Sequence, residues 1–308
     1  MASSRSALVI RGGAIGDFIV TLPAIKLLRD SIADCRIEVL GYPGIADLAV
    51  VANLAESTRS LEHRSMALLF VPNAKLDDEL CDWLKSFNVI LSYLYDPDGI
   101  VRANMERIGV KTYLDAPHRV IDGQGHAVHQ LAKPLESLAM YLDDPAPRIV
   151  AANAETRSPR IAIHPGSGSI KKNWSLDHWC RMLHELREHP LVVITGEAER
   201  ERGVIDQMRS TCAGLNIEHW DGLPLVELAR RLPSCSAFLG HDSGISHLAA
   251  ACGVPCHLFF GPSDPGTWAP ANADVVVHRV ASQNLDHLAW QEGWSALRAF
   301  VCDRRVMC

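Results

Sequence analysis

An alternation constrains this chain more than any other feature. Short runs rich in Val, Ile and Leu recur between longer segments whose apolar residues repeat at helical spacing. That pattern is the signature of βαβ units, so it predicts an α/β fold built on parallel sheets. The first run, Ala7-Leu-Val-Ile10, precedes a glycine-bearing turn and a helical stretch, Phe18–Arg29. Cys35–Leu40, Met66–Val71 and Phe87–Leu91 continue the series as strands of one sheet. A proline-rich joint, Pro145-Ala-Pro147, and a polar stretch over 153–159 interrupt it. A second series then starts at Arg160-Ile-Ala-Ile-His164 and runs through Leu191–Ile194, Ala237–Leu239 and Cys256–Phe260. Its intervening helices are Trp179–Glu188, Glu199–Arg209 and Val226–Leu232. The restart predicts one domain over 1–155, a second similar one over 156–284, and a helix within 285–308 that crosses back to the first. At 308 residues, the chain has room for both cores.

Charge narrows the partners. The formal net charge is −6 and neither half carries a basic excess, so nothing supplies the phosphate neutralisation that nucleic-acid binding needs. The nine cysteines are scattered and odd in number, with no C-x-x-C, and Cys252 and Cys256 merely bracket a turn. They read as reduced thiols rather than as a disulfide framework or a zinc site, with Cys308 a free surface thiol. The first residues form no secretory core and no apolar run nears the roughly 20 residues that span a bilayer. The expectation is a cytoplasmic protein with at most peripheral contact at the inner face of the membrane.

Three strand-to-helix junctions carry polar and small residues in patterns suited to chemistry. In the first, Arg11-Gly-Gly-Ala-Ile-Gly-Asp17, the turn residues Gly12, Gly13 and Gly16 let backbone N–H groups approach a ligand closely. Asp17 there is either a general base at the mouth of the sheet or an N-cap accepting a helix N–H, and the two roles can coexist. In the second, His164-Pro-Gly-Ser-Gly-Ser-Ile-Lys-Lys-Asn-Trp174, small residues followed by lysines can wrap an anionic group. The plain alternative is an exposed loop with a solvated Lys171-Lys172 pair. The third, Gly240-His-Asp-Ser-Gly-Ile-Ser-His-Leu-Ala-Ala-Ala251, aims a helix N-terminus at a phosphate or simply caps a core helix. His247 taken alone reads as a structural histidine. Either Glu197 or Glu199 is positioned to accept from ribose hydroxyls, and each also suits the first turn of a helix. Asp96-Pro-Asp98 resembles a metal-holding D-x-D pair, but Asp-Pro-Asp-Gly99 is an ideal turn, and no other His or carboxylate cluster has metal-ligand spacing.

Taken in order, several segments resemble family-nine glycosyltransferases, the group that includes ADP-heptose:lipopolysaccharide heptosyltransferases. The matching residues are Val9-Ile-Arg-Gly-Gly-Ala-Ile-Gly-Asp17 with Leu22-Pro-Ala24, His164-Pro-Gly-Ser167, Lys172-Asn-Trp174, and His178-Trp179. Asp242-Ser-Gly244 with His247-Leu-Ala-Ala250 and Gly261-Pro-Ser-Asp-Pro265 complete the set, and His126-Ala-Val128 resembles the start of the helix leading out of the first domain. The resemblance implies a GT-B architecture, two Rossmann-like domains facing across a cleft, and inverting transfer with no metal and no cofactor. It implies that Asp17 deprotonates an acceptor hydroxyl. Ser167, Lys172, Asp242, Ser243 and Gly244 would contact the diphosphate of a nucleotide sugar, ADP-heptose above all. Glu197 or Glu199 would contact its ribose, with His247 nearby. The acceptor would be a glycan or a lipid-linked glycan such as the lipopolysaccharide core. Two other readings compete: a non-catalytic nucleotide-sugar binder, and a Rossmann-type oxidoreductase or epimerase. Arg11 standing where G-x-G-x-x-G needs glycine argues against the latter.

Overall fold

The computed structural model describes residues 5–280 and 284–303. Cys308 and the end of the expected C-terminal segment lie outside them. The chain folds into two compact units, Met1–Pro145 and Ala146–Cys308, divided within the Pro145-Ala-Pro147 joint.

The first unit holds a five-stranded parallel sheet in the order β3-β2-β1-β4-β5. Its strands are β1 (Ser6–Arg11), β2 (Arg36–Gly41), β3 (Ser57–Ser60), β4 (Val89–Ser92) and β5 (Tyr113–Asp115). The second unit holds a six-stranded parallel sheet in the order β11-β10-β9-β6-β7-β8. Here the strands are β6 (Arg160–Ile163), β7 (Leu191–Thr195), β8 (Ile217–Asp221), β9 (Cys235–His241), β10 (Cys256–Phe260) and β11 (Val275–Arg279). Each sheet starts at its centre and winds outward in both directions. Each therefore has a crossover point, between β1 and β4 in one and between β6 and β9 in the other, where ligands of such sheets bind.

Several expectations about individual elements need correcting. Met66–Val71 is not a strand: Arg64–Phe70 forms a 3₁₀ helix that buries Met66 and Leu69, three residues apart, and exposes Leu68 and Phe70. Three residues per turn puts that pair on one side. The third strand is instead the polar Ser57–Ser60. The stretch Phe18–Arg29 divides into helices Ile15–Ile19 and Leu22–Ser31, the second opening with Pro23 in its first turn. Likewise 199–209 divides into Glu197–Glu201 and Val204–Thr211 at Gly203, whose φ of +70° no helix accommodates. The helix Trp290–Asp303 places Leu297, Phe300 and Val301 in the core that Ile161, Val193 and Leu239 form within the second unit.

One core residue has no polar partner. His257 on β10 is 3% exposed and neither ring nitrogen makes a hydrogen bond; Phe259, Phe300 and His278 surround it. Burial, reinforced by His278, pushes its pKa down to about 4. A histidine held neutral in the fold takes up its proton in the unfolded chain first, so its contribution to stability is lost as pH falls from about 6.5 toward 4. Replacing His257 by Leu should raise the melting temperature at pH 7 by a few degrees, because an unpaired buried polar group costs about 1–3 kcal/mol. The advantage should grow by about 2 kcal/mol at pH 5, as read by thermal melts at both pH values. An advantage that shrinks on acidification would contradict this.

Candidate functional site

In the first unit the polar residues gather where β1 ends. The chain leaves β1 through Gly12 and Gly13 and enters the helix at Ile15. Gly13 has φ +99°, and a Cβ there would stand 3.1 Å from Asp17 Oδ2, so this turn requires glycine. The N-cap is Ala14, which corrects the capping expectation: Asp17 is the third helical residue and its Oδ2 accepts the Ala14 N–H at 3.1 Å. This reach back leaves the Asp17 side chain 36% exposed at the mouth of the sheet.

Arg11 lies beneath it. This guanidinium is 3% exposed, donates to the Asp17 carbonyl at 3.2 Å and the His118 carbonyl at 3.3 Å, and stacks over Tyr93 just after β4. Its Nη2 approaches Asp17 Oδ1 to 3.9 Å. Burial lowers the Arg11 pKa, and Asp17 and Tyr93 oppose that shift. The Asp17 carbonyl also accepts from Thr21 Oγ1 at 2.7 Å, so the backbone that carries the carboxylate is held from two sides. In the sequence Arg11 stood out only as a break in a glycine pattern. An arginine closing an apolar strand just before Gly-Gly was the overlooked signal. Asp96–Gly99 is a turn: the Asp96 carbonyl accepts from Gly99 N–H and its carboxylate from Arg102 N–H.

In the second unit the loop after β6 meets the end of β9 at the crossover. Lys172 Nζ and Asp242 Oδ2 lie 2.5 Å apart, the lysine 32% and the aspartate 8% exposed. Ser243 caps the helix Gly244–Ala251, its Oγ accepting the Ser246 N–H at 3.2 Å. Eight residues of helix thus point their N-terminal dipole end at the lysine loop's neighbourhood, a favourable place for an anion. His247 is buried within that helix.

Glu199 and Glu197 separate cleanly. Glu199 is buried, and its Oε2 accepts the Gly196 N–H at 2.9 Å, whereas Glu197 is exposed. A Cβ on Gly166 would stand 1.9 Å from Glu199 Oε1, so the carboxylate rests directly on the backbone of the small-residue loop. Ser167 is also buried, with Oγ 2.8 Å from the Ser169 carbonyl and 2.5 Å from Asn173 Oδ1. Its hydrogen is engaged within the loop as the loop stands. Arg202, which the sequence did not single out, anchors the same loop by donating to the Ser167 carbonyl at 3.1 Å. His164 donates Nδ1–H to the Ile194 carbonyl at 2.9 Å; burial lowers its pKa, opposed by Glu199. Among the described residues, no group of three or more His, Cys, Asp or Glu side chains is gathered as a metal site. Nor is any helix among them long and apolar enough to cross a membrane.

Residues 109–292 match the model of glycosyltransferase family 9 (heptosyltransferase). The chain belongs to that family. Among curated relatives, lipopolysaccharide heptosyltransferase 1 of Pseudomonas aeruginosa is 29% identical over 151 residues, 45% of this chain and 41% of that protein. The chain thus matches less than half the length of that relative. Among solved structures, the Escherichia coli ADP-heptose lipopolysaccharide heptosyltransferase II has a TM-score of 0.76 at 16% identity, covering 97% of this chain and 99% of that one. The iron-containing dodecameric glycosyltransferase TibC of enterotoxigenic E. coli has a TM-score of 0.59 at 16% identity, covering 97% and 76%. These likenesses show that the family 9 chain shares the two-sheet α/β fold of GT-B heptosyltransferases.

Proposed function

We propose that this family 9 protein moves heptose from ADP-heptose to a hydroxyl of a glycan or lipopolysaccharide-core acceptor, inverting the anomeric centre without a metal ion. The observation that carries the reading is the Lys172–Asp242 pair beside the capped start of the helix Gly244–Ala251, at the crossover of the second sheet. A departing diphosphate gains negative charge. An ammonium and oriented N–H groups stabilise that charge best where few waters compete. Lys172, already set by Asp242, supplies the cation, and Ser243 and Gly244 supply backbone donors. Glu199, resting on the Gly166 backbone, is favoured over the exposed Glu197 as the ribose acceptor.

On the acceptor side Asp17 takes the hydroxyl proton. Its Oδ2 is oriented by the Ala14 N–H, and more than a third of the side chain remains open to an incoming alcohol. The alkoxide-like oxygen attacks the anomeric carbon opposite the ADP leaving group, forming the new C–O bond as the old one breaks, which inverts the centre. The proposed place of action is the cytoplasmic face of the inner membrane, where a lipid-linked acceptor resides.

Transfer from ADP-heptose to a core-oligosaccharide acceptor, followed by ADP release in the presence of EDTA, tests the whole reading. Full turnover with chelator and an inverted product are expected. Loss of turnover in EDTA that iron or another added metal restores would overturn the metal-free part, a pointed comparison given TibC. A product of retained configuration would overturn the role of Asp17.

A further inference from the structure

The geometry points to His241 as a positioning residue for the diphosphate site: its imidazole fixes the Trp174 amide and, through it, the Lys172 ammonium against Asp242. This role rests on the donor reading above. His241 ends β9 and is fully buried. Its Nε2 lies 2.9 Å from the Trp174 backbone N and 3.1 Å from Trp179 Nε1. Both neighbours only donate, so Nε2 must present a lone pair and the ring proton must sit on Nδ1. Protonating Nε2 would set N–H against N–H.

The placement of neighbours turns this contact into a device. Asp242, the next residue, holds Lys172, and His241 holds Trp174. Two adjacent residues at one strand end thus grip two nearby residues of one loop, which fixes the loop's orientation as a single contact does not. The Trp174 side chain is secured independently: its Nε1 donates to the Leu288 carbonyl at 2.9 Å and its ring packs on Trp179, Phe259 and Trp290. Toward the loop's tip, Ile170 and Lys171 are exposed. The rigid half of the loop is the half that carries Lys172. Burial pushes the His241 pKa down to about 3, so the acceptor persists throughout the neutral range.

Two polar substitutions separate positioning from mere filling. In His241→Gln the side-chain oxygen can reach the place of Nε2; in His241→Asn it reaches only that of Nδ1. With ADP as probe in calorimetry and ADP-heptose in turnover assays, His241→Gln should stay within about threefold of the unmodified chain. His241→Asn should lose about tenfold in ADP affinity and raise the donor KM similarly, with kcat changed less. Equal behaviour of the two variants, either both unimpaired or both impaired, would overturn the inference. A measurement on the unmodified chain guards against misfolding of a variant. The Trp174 amide should exchange slowly with deuterium, and exchange at the rate of Lys171 would overturn the inference equally. Failure of the donor reading looks different: the unmodified chain would bind no ADP while the Trp174 amide stayed protected.

Discussion

Asp17→Asn is expected to lower kcat for transfer from ADP-heptose by about 10² to 10⁴ while leaving the fold intact. The amide keeps an oxygen that accepts the Ala14 N–H, so the helix start survives, but it cannot take up a proton. The melting temperature should therefore stay within a degree or two, and the ADP affinity should not move, because the substitution lies in the other unit from Lys172. Steady-state turnover, a thermal melt and ADP calorimetry on the same preparation read all three. A variant turning over at the full rate would sink the proposed base.

The second large effect is expected at Lys172. In Lys172→Met the ADP affinity should fall about ten- to hundredfold, the worth of one charge-assisted hydrogen bond. The melting temperature should fall as well, because Asp242, at 8% exposure, loses the cation beside it. Lys172 is itself a third exposed, and solvent screening holds that loss to about 1–3 kcal/mol. The double variant Lys172→Met with Asp242→Asn removes the stranded charge, so it should regain stability without regaining ADP. Recovery of both together would mean that the pair serves the fold alone.

Legibility in the sequence followed burial. Seven strands at the sheet interiors, β1, β2, β4, β6, β7, β9 and β10, read as continuous apolar runs because both of their faces are covered. All four strands that escaped notice, β3, β5, β8 and β11, stand at sheet edges. Ser57-Thr-Arg-Ser60 has no apolar residue at all, and Ile217-Glu-His-Trp-Asp221 is mostly polar. Met66–Val71 misled for the converse reason: Leu68, Phe70 and Val71 gave an apolar run without being buried. At the sites, glycine turns and the Lys172 and Asp242 segments were visible as local patterns. Their meeting was not, since 70 residues separate the ammonium from its carboxylate. Arg11, Arg202 and His241 act through main-chain groups distant in sequence or orientation, and such contacts leave no spacing to read.

Among the described residues the lack of hairpins has a kinetic consequence. Neighbouring strands within each described sheet run parallel, so each pairing awaits a crossover, and Ile161 settles beside Ala237 only after two further strands have been made. Loop closure is paid before any ladder rewards it, which makes refolding slow and leaves β6 with one uncovered edge while β9 is still emerging from the ribosome. Low temperature and slow synthesis should accordingly favour soluble yield, and the 160–240 stretch is where a stalled chain exposes itself to aggregation.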